Sequence, residues 1–549
     1  MPNFYADTIA QGRLKFRNLR ATEEGSFGQV YRATAAGTFS NDFALKRQIL
    51  NVKSRDVAEY LHEQEKQLGW LRREARIYFS STLNRGQNRH LALLCDVAFV
   101  THTNPDGSTT DEPLLAMQWA NALPHNTLQQ WIKANPVSEE GVQERLSLAI
   151  QMCSGLVEMH CGGHGPSADT EGSAPLFVHQ DLKPGNMLLF GHGSDGDGPL
   201  RLALTDFGLS VCYNGASEEA DLGGGTPFYK APEQLVGRRA RRPDRDIWAA
   251  AIVLAKLFAG EHTLAALQEY RGYSSELNRR KVVIADIKQV CIFAQNIARA
   301  VEQDATGMPG NRLSQTQQAL APLLSKCFLV GCELAGMNFP GYARPTSSEC
   351  VAALRKIWSD LGFQPWHLYL ETLPQPQPTA LQKHYSPHGL ANFYLEHMEA
   401  GMLKLMIGQC NRLLGKVESQ DESVVREHID KLQKQLEAAA TNAAFHRRKA
   451  DEAAFGVTSK RQVSSAITVA ATVLTTSTKA LDVCAPLSSA LNSNHLVRLQ
   501  MPPTPPIAAL KVSPTPNATQ TSAPAAGPRV RVNGGERFST CCSAQHGVE

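Results

Sequence analysis

The chain has 549 residues, of which 42% are hydrophobic and 19% charged, with a formal net charge of +3. That length suits one large domain with extensions, or about three to four domains of ordinary size, and the apolar fraction is enough for a sizeable core. The near-neutral balance argues against a chain built to bind nucleic acid or a membrane surface. Twelve cysteines without a C-x-x-C pair argue against a zinc site or a dense disulfide framework and suit reduced thiols in a cytoplasmic or nuclear protein.

Residues 1–17 read as a lead-in before a first strand, and no apolar run in Met1–Arg20 suits a secretory signal. From about 21 to 125 the pattern is β-rich with one long charged helix. Phe43-Ala44-Leu45-Lys46 is a short strand, and Asp56–Phe79 carries Leu61, Leu68, Leu71 and Ala75 at helical spacing. Leu91–Val100 and Leu114–Trp119 read as strands around the turn Asn104-Pro105-Asp106-Gly107. From about 126 to 360 the texture is helical: Glu144–His160 is amphipathic, residues 161–175 read as an inserted loop, and Ile247–Phe258 is apolar all round and predicts a buried helix. A small β-rich part followed by a larger helical part predicts two lobes with a cleft between them.

Residues 361–387 contain Pro365, Pro374, Pro376 and Pro378 and read as a linker. Two helices are expected over 388–455. In the second, Val425, Ile429, Leu432, Leu436, Ala439 and Ala443 are spaced alternately by four and three, a short coiled-coil seam over 421–450. That seam could join a partner helix or a second copy of the chain, or pack within the chain itself. Residues 456–549 are rich in Ala, Ser, Thr and Pro and predict disorder, and the uncharged stretch Val463–Thr478 is too polar for a membrane span.

Several short motifs carry chemistry. In Glu23-Glu24-Gly25-Ser26-Phe27-Gly28-Gln29-Val30, glycines let backbone amides between two strands approach phosphates. Lys46 follows Gly28 by 18 residues. In His179-Gln180-Asp181-Leu182-Lys183-Pro184-Gly185-Asn186, the carboxylate can accept a hydroxyl proton, the lysine can neutralise phosphoryl charge, and the asparagine offers a hard oxygen to magnesium. Asp206-Phe207-Gly208 supplies a second carboxylate, and Gly225-Thr226-Pro227-Phe228-Tyr229-Lys230-Ala231-Pro232-Glu233, Asp246-Ile247-Trp248 and Arg344-Pro345 follow in order.

Together these resemble the eukaryotic protein-kinase superfamily, over about residues 18–360. The resemblance implies an α+β, two-lobed protein-kinase fold that binds ATP and Mg2+ and acts on protein substrates. It implies catalytic roles for Asp181 and Lys183, and magnesium on Asn186 and Asp206. It places ATP against Gly25, Phe27, Gly28, Val30, Ala44, Lys46, Met117, Gln118, Ala120 and Leu188. The glutamate pairing with Lys46 would be Glu74, with Glu63 and Glu65 as alternatives. Lys183-Pro184 and Gly225-Thr226-Pro227 resemble the serine/threonine form, and Arg344 would pair with Glu233.

Two residues depart from the pattern. Glu23 replaces the first loop glycine. Gln180 replaces an arginine that, in the family, grips a phosphate on the activation segment, so activity is expected not to need phosphorylation there. The alternative reading is a pseudokinase scaffold acting through the helices and Pro-rich tail. Arg238-Arg239-Ala240-Arg241-Arg242 is either a solvated basic loop, an import signal or a docking site for acidic substrates.

Overall fold

The computed structural model describes residues 3–8, 12–25, 28–35, 42–48, 56–84, 89–122 except 104–108, 124–160, 176–192, 198–213, 225–235, 243–277, 279, 282–306, 310–329, 344–375, 387–414, 416–417 and 419–455. Phe27, Ser217, the stretches 161–175 and 238–242, and residues 456–549 lie outside the described residues.

Six strands form a closed antiparallel barrel: β1 (Asn3–Thr8), β2 (Gly12–Gly25), β3 (Gly28–Ala35), β4 (Asp42–Gln48), β5 (Leu94–Thr103) and β6 (Thr109–Gln118), in the order β1-β2-β3-β4-β6-β5. β1 lies in the stretch read from sequence as a lead-in. It pairs with both β2 and β5, with Ala6 opposite Leu14 and Ala98, and so covers two edges that would otherwise be open.

The two-residue period of a strand sorts side chains between two cores. Phe16, Ala33, Leu45, Ala98, Val100, Leu114 and Ala116 fill the barrel. Their neighbours Ala44, Phe99, Leu115 and Met117 join the main core outside it. Lys46 shares the face of Ala44. Between β4 and β5 runs α1 (Val57–Asn84), whose first turn is capped by Asp56 Oδ1 accepting from Glu59 N at 2.8 Å.

The later part is helical: α2 (Leu128–Ala134), α3 (Val142–His160), α4 (Pro232–Leu235), α5 (Asp244–Leu257), α6 (Glu261–Leu277), α7 (Ile284–Thr306), α8 (Arg312–Cys327), α9 (Ser347–Asp360) and α10 (Trp366–Thr372). Two short two-stranded antiparallel sheets interrupt it, β7 (Leu176–Val178) with β10 (Val211–Tyr213) and β8 (Met187–Phe190) with β9 (Arg201–Leu204). Capping boxes at Thr127/Gln130 and Thr346/Glu349 start α2 and α9. The largely apolar α5 is buried on nearly every side.

α10 falls inside the stretch read as a linker. The prolines hid an aromatic cluster, in which Trp358 packs against Phe363, Trp366 and Tyr369 with ring centroids 4.8–5.2 Å apart.

The last two helices, α11 (Pro387–Leu414) and α12 (Ser419–Phe455), form a hairpin. The seam of α12, Val425 through Ala443, is buried together with Met398, Met402, Leu403, Met406 and Cys410 of α11. Of the alternatives the seam left open, the structure shows packing within the chain: its apolar stripe lies on α11. The hairpin also sits on α1. Gln64 Nε2 donates to Gln409 Oε1 at 2.6 Å, Arg72 pairs with Glu399, and Lys431 pairs with Glu65. Among the described residues no helix is long and apolar enough to cross a membrane.

Candidate active site

The glycine-rich turn joins β2 to β3, with Gly25 opposite Gly28. A Cβ on Gly28 would lie 2.7 Å from the Arg47 carbonyl oxygen, so glycine is required by how closely β3 lies on β4. The same register sets Val30 opposite Lys46, and Ala44 opposite Met117.

Lys46 Nζ donates to Glu74 Oε1 at 2.5 Å and to Asp206 Oδ1 at 2.7 Å. Of the three candidate glutamates the structure brings Glu74 to Lys46; Glu63 pairs with Lys66 and Glu65 with Lys431. Burial alone would depress the Lys46 ammonium, but the Asp206 and Glu74 carboxylates outweigh it and hold the pKa above the ordinary lysine range. Burial pushes Asp206 the other way too, yet Lys46 holds it below the ordinary carboxylate range.

Tyr78, one turn beyond Glu74, was not singled out in the sequence. Its hydroxyl lies 2.9 Å from Thr205 Oγ1 and accepts from Asp206 N at 3.3 Å. Its ring meets Phe207, which meets His179, with centroids 4.9 and 5.5 Å apart. This stack ties α1 to both acidic motifs. The four-residue spacing from Glu74 was the available signal.

Asp181 is buried and held from several sides. Thr226 N and Oγ1 donate to Oδ1 at 2.8 and 3.0 Å, and Lys183 Nζ donates to Oδ2 at 2.6 Å. Asn186 Nδ2 donates to the Asp181 carbonyl at 2.9 Å. The loop backbone is strained, with Gln180 at φ 65°. Asp246 holds that turn from the start of α5, its carboxylate accepting from His179 N at 2.7 Å and Gln180 N at 2.9 Å. Its other neighbour is His160 Nε2 at 2.9 Å. Arg344 clamps Glu233 through two bonds of 2.5 and 2.9 Å, anchoring the far end of the segment.

For an adenine ring, Met117 and Ala120 are buried, and Ala120 packs with Leu188, Phe190 and Ala203. The Trp119 amide donates to Asp42 O at 3.3 Å, which leaves Gln118 and Ala120 as the backbone sites toward a base. The Gln118 side chain accepts from Arg201 Nη2 at 3.3 Å.

The residues also fit magnesium. Asn186 turns its amide nitrogen to Asp181, so its oxygen points elsewhere, and Asp206 Oδ2 has no donor among the described residues. No cluster of three or more His, Cys, Asp or Glu among the described residues could hold a metal alone. Two oxygen ligands suit a cation that arrives with phosphates.

A small antiparallel barrel over a helical lobe, joined by a largely buried lysine between two carboxylates, defines a phosphate-handling cleft. A family model described as protein kinase domain matches residues 16–332, and the chain belongs to that family. Among curated relatives, serine/threonine-protein kinase chk-1 of Caenorhabditis elegans is 33% identical over 137 residues, 24% of this chain and 26% of that protein. Calcium-dependent protein kinase 2 of Oryza sativa subsp. japonica is 38% identical over 100 residues, 18% of each chain. Cell division control protein 2 homolog D of Antirrhinum majus is 25% identical over 244 residues, 44% of this chain and 65% of that protein. The chain thus spans about a quarter or less of the first two relatives.

Proposed function

We propose that the chain is a serine/threonine protein kinase, transferring the γ-phosphoryl group of ATP to hydroxyls of protein substrates. The observation that carries this is the joint assembly of Lys46, Glu74 and Asp206 with Asp181, Lys183 and Asn186. Magnesium-bound ATP supplies the phosphoryl group and neutralises its charge. Asp181 accepts and orients the acceptor hydroxyl, Lys183 balances charge beside it, and Lys46 positions the phosphates. Thr226 fixes the rotamer of Asp181. Positioning and electrostatics account for the rate, because none of these groups need form a covalent bond.

Activation-loop phosphorylation is not required in this reading. Gln180 brings no charge to grip a phosphate. Of the candidate phosphosites, Ser210 is buried and donates to His179 O at 3.1 Å, and Thr226 is engaged with Asp181 and Lys183. Ser217 remains: loss of activity in Ser217→Ala with recovery in Ser217→Glu would overturn this point.

Glu23 and Gln180 favour the rival, a pseudokinase scaffold. Transfer of labelled phosphate from ATP by purified wild type, lost in Asp181→Asn, supports the kinase. A folded, ATP-binding wild type that transfers nothing supports the scaffold.

A further inference from the structure

Two cations bracket one aromatic ring beside the catalytic loop. Lys256, in the last turn of α5, has its ammonium 5.0 Å from the centroids of both Phe228 and Tyr229. Arg271 of α6 has its guanidinium carbon 5.2 Å from the Phe228 centroid. Lys256 Nζ donates to Tyr229 Oη at 2.6 Å, and no carboxylate pairs with either cation among the described residues.

A half-buried ammonium beside a guanidinium is unfavourable without an anion. Burial, reinforced by Arg271, pushes Lys256 down to about 8. Buried Arg344 is paired with the carboxylate of Glu233 and buried Arg145 donates to the carbonyl oxygens of Leu257 and Asn135, whereas Lys256 has only the Tyr229 hydroxyl among the described residues. The charge of Asp181 reaches the Tyr229 hydroxyl, but Asp181 is itself held by Thr226, Lys183 and Asn186.

The location is informative. Phe228 and Tyr229 lie two and three residues after Thr226, whose hydroxyl touches Asp181. Tyr229 N donates to Thr226 O at 2.9 Å. Lys256 therefore lies one tyrosine side chain from the segment that holds Asp181, with Arg271 on the neighbouring Phe228 ring. An extended peptide advances about 3.3 Å per residue, so a few residues span a tyrosine side chain.

We propose that Lys256 and Arg271 form a subsite for an anionic side chain of the protein substrate, close in sequence to the acceptor hydroxyl. This rests on the kinase reading above. The anion is either a carboxylate or a phosphate already present on the substrate; both offer oxygens to the same cations.

The test uses the full chain with ATP, magnesium and peptides carrying one serine, scanned on either side with aspartate, phosphoserine, alanine or arginine. At one position wild type should prefer aspartate to arginine by about tenfold or more in kcat/KM. That ratio should approach one in Arg271→Glu and invert in Lys256→Glu. The ratio is internal to each protein, so a general loss of activity does not mimic the result. Arg271 is exposed, which makes its reversal safe for folding if Lys256→Glu is not.

Phosphoserine exceeding aspartate would identify phosphate as the anion, and the reverse order a carboxylate. Absence of an anionic preference at every position, or a preference surviving in both variants, overturns the proposal. If wild type phosphorylates no peptide, the kinase reading fails separately. Fluorescence anisotropy of the same peptides with ADP and magnesium then decides the subsite: weaker binding of anionic peptides by Arg271→Glu supports it, and equal binding of aspartate and arginine peptides by wild type overturns it.

Discussion

At Asp181 two hydrogen bonds from Thr226 and one from Lys183 hold a carboxylate that would otherwise rotate. Asp181→Asn keeps much of that shape but loses the charge that accepts a proton. We expect kcat to fall by about 10²–10⁴-fold with the unfolding midpoint nearly unchanged, measured by single-turnover phosphotransfer and thermal melts. Glu144 on α3 offers a different kind of test. Burial raises its carboxyl to about 7, although Leu200 N and the Tyr369 hydroxyl donate to it. The folded chain therefore holds this proton more tightly than the unfolded chain. The stability it contributes is full below the ordinary 4.5 and is lost as pH rises through about 7. Glu144→Gln keeps the packing and should remove up to about 3 kcal/mol of that pH dependence, read from melts between pH 5 and pH 8.

At the scale of elements, α1 connects the catalytic cleft to the C-terminal hairpin. Glu74 and Tyr78 face Lys46, Thr205 and Phe207, while Gln64, Glu65 and Arg72 meet α11 and α12. Unseating the hairpin should therefore loosen the Lys46–Glu74 pair without touching it. Leu432→Asp places a charge in the buried seam. It should lower kcat by about tenfold or more, since a misplacement of about 1 Å can cost 10²-fold. Hydrogen exchange should rise in α1; unchanged exchange and unchanged kcat would show that the hairpin does not position the helix.

At the scale of the whole molecule, the seam is buried inside the chain, so its substitutions are expected to act on stability rather than on association. Leu436→Ala should cost about 2–5 kcal/mol at that buried site. The mass found by light scattering should be the same as for wild type over the working concentration range. A fall in mass on this substitution would mean that the seam joins two chains.

The sequence by itself determined much of the site, because phosphoryl transfer needs particular groups in a particular order. Lys46, Asp181, Lys183, Asn186 and Asp206 stood out from their motifs, and a choice among three glutamates was as far as spacing could go. Glu74 was the first choice among the three, but only the tertiary structure decided for it over Glu63 and Glu65, since which face of α1 turns toward β4 depends on packing at Tyr78 and Phe207. Only it found β1 closing the barrel, because strand pairing across about 90 residues leaves no local pattern. Only it found α10, where aromatic contacts override a proline-rich texture. The heptad pattern of α12 specified an apolar stripe but not its partner. α11 covers it because a short turn keeps that helix at high effective concentration.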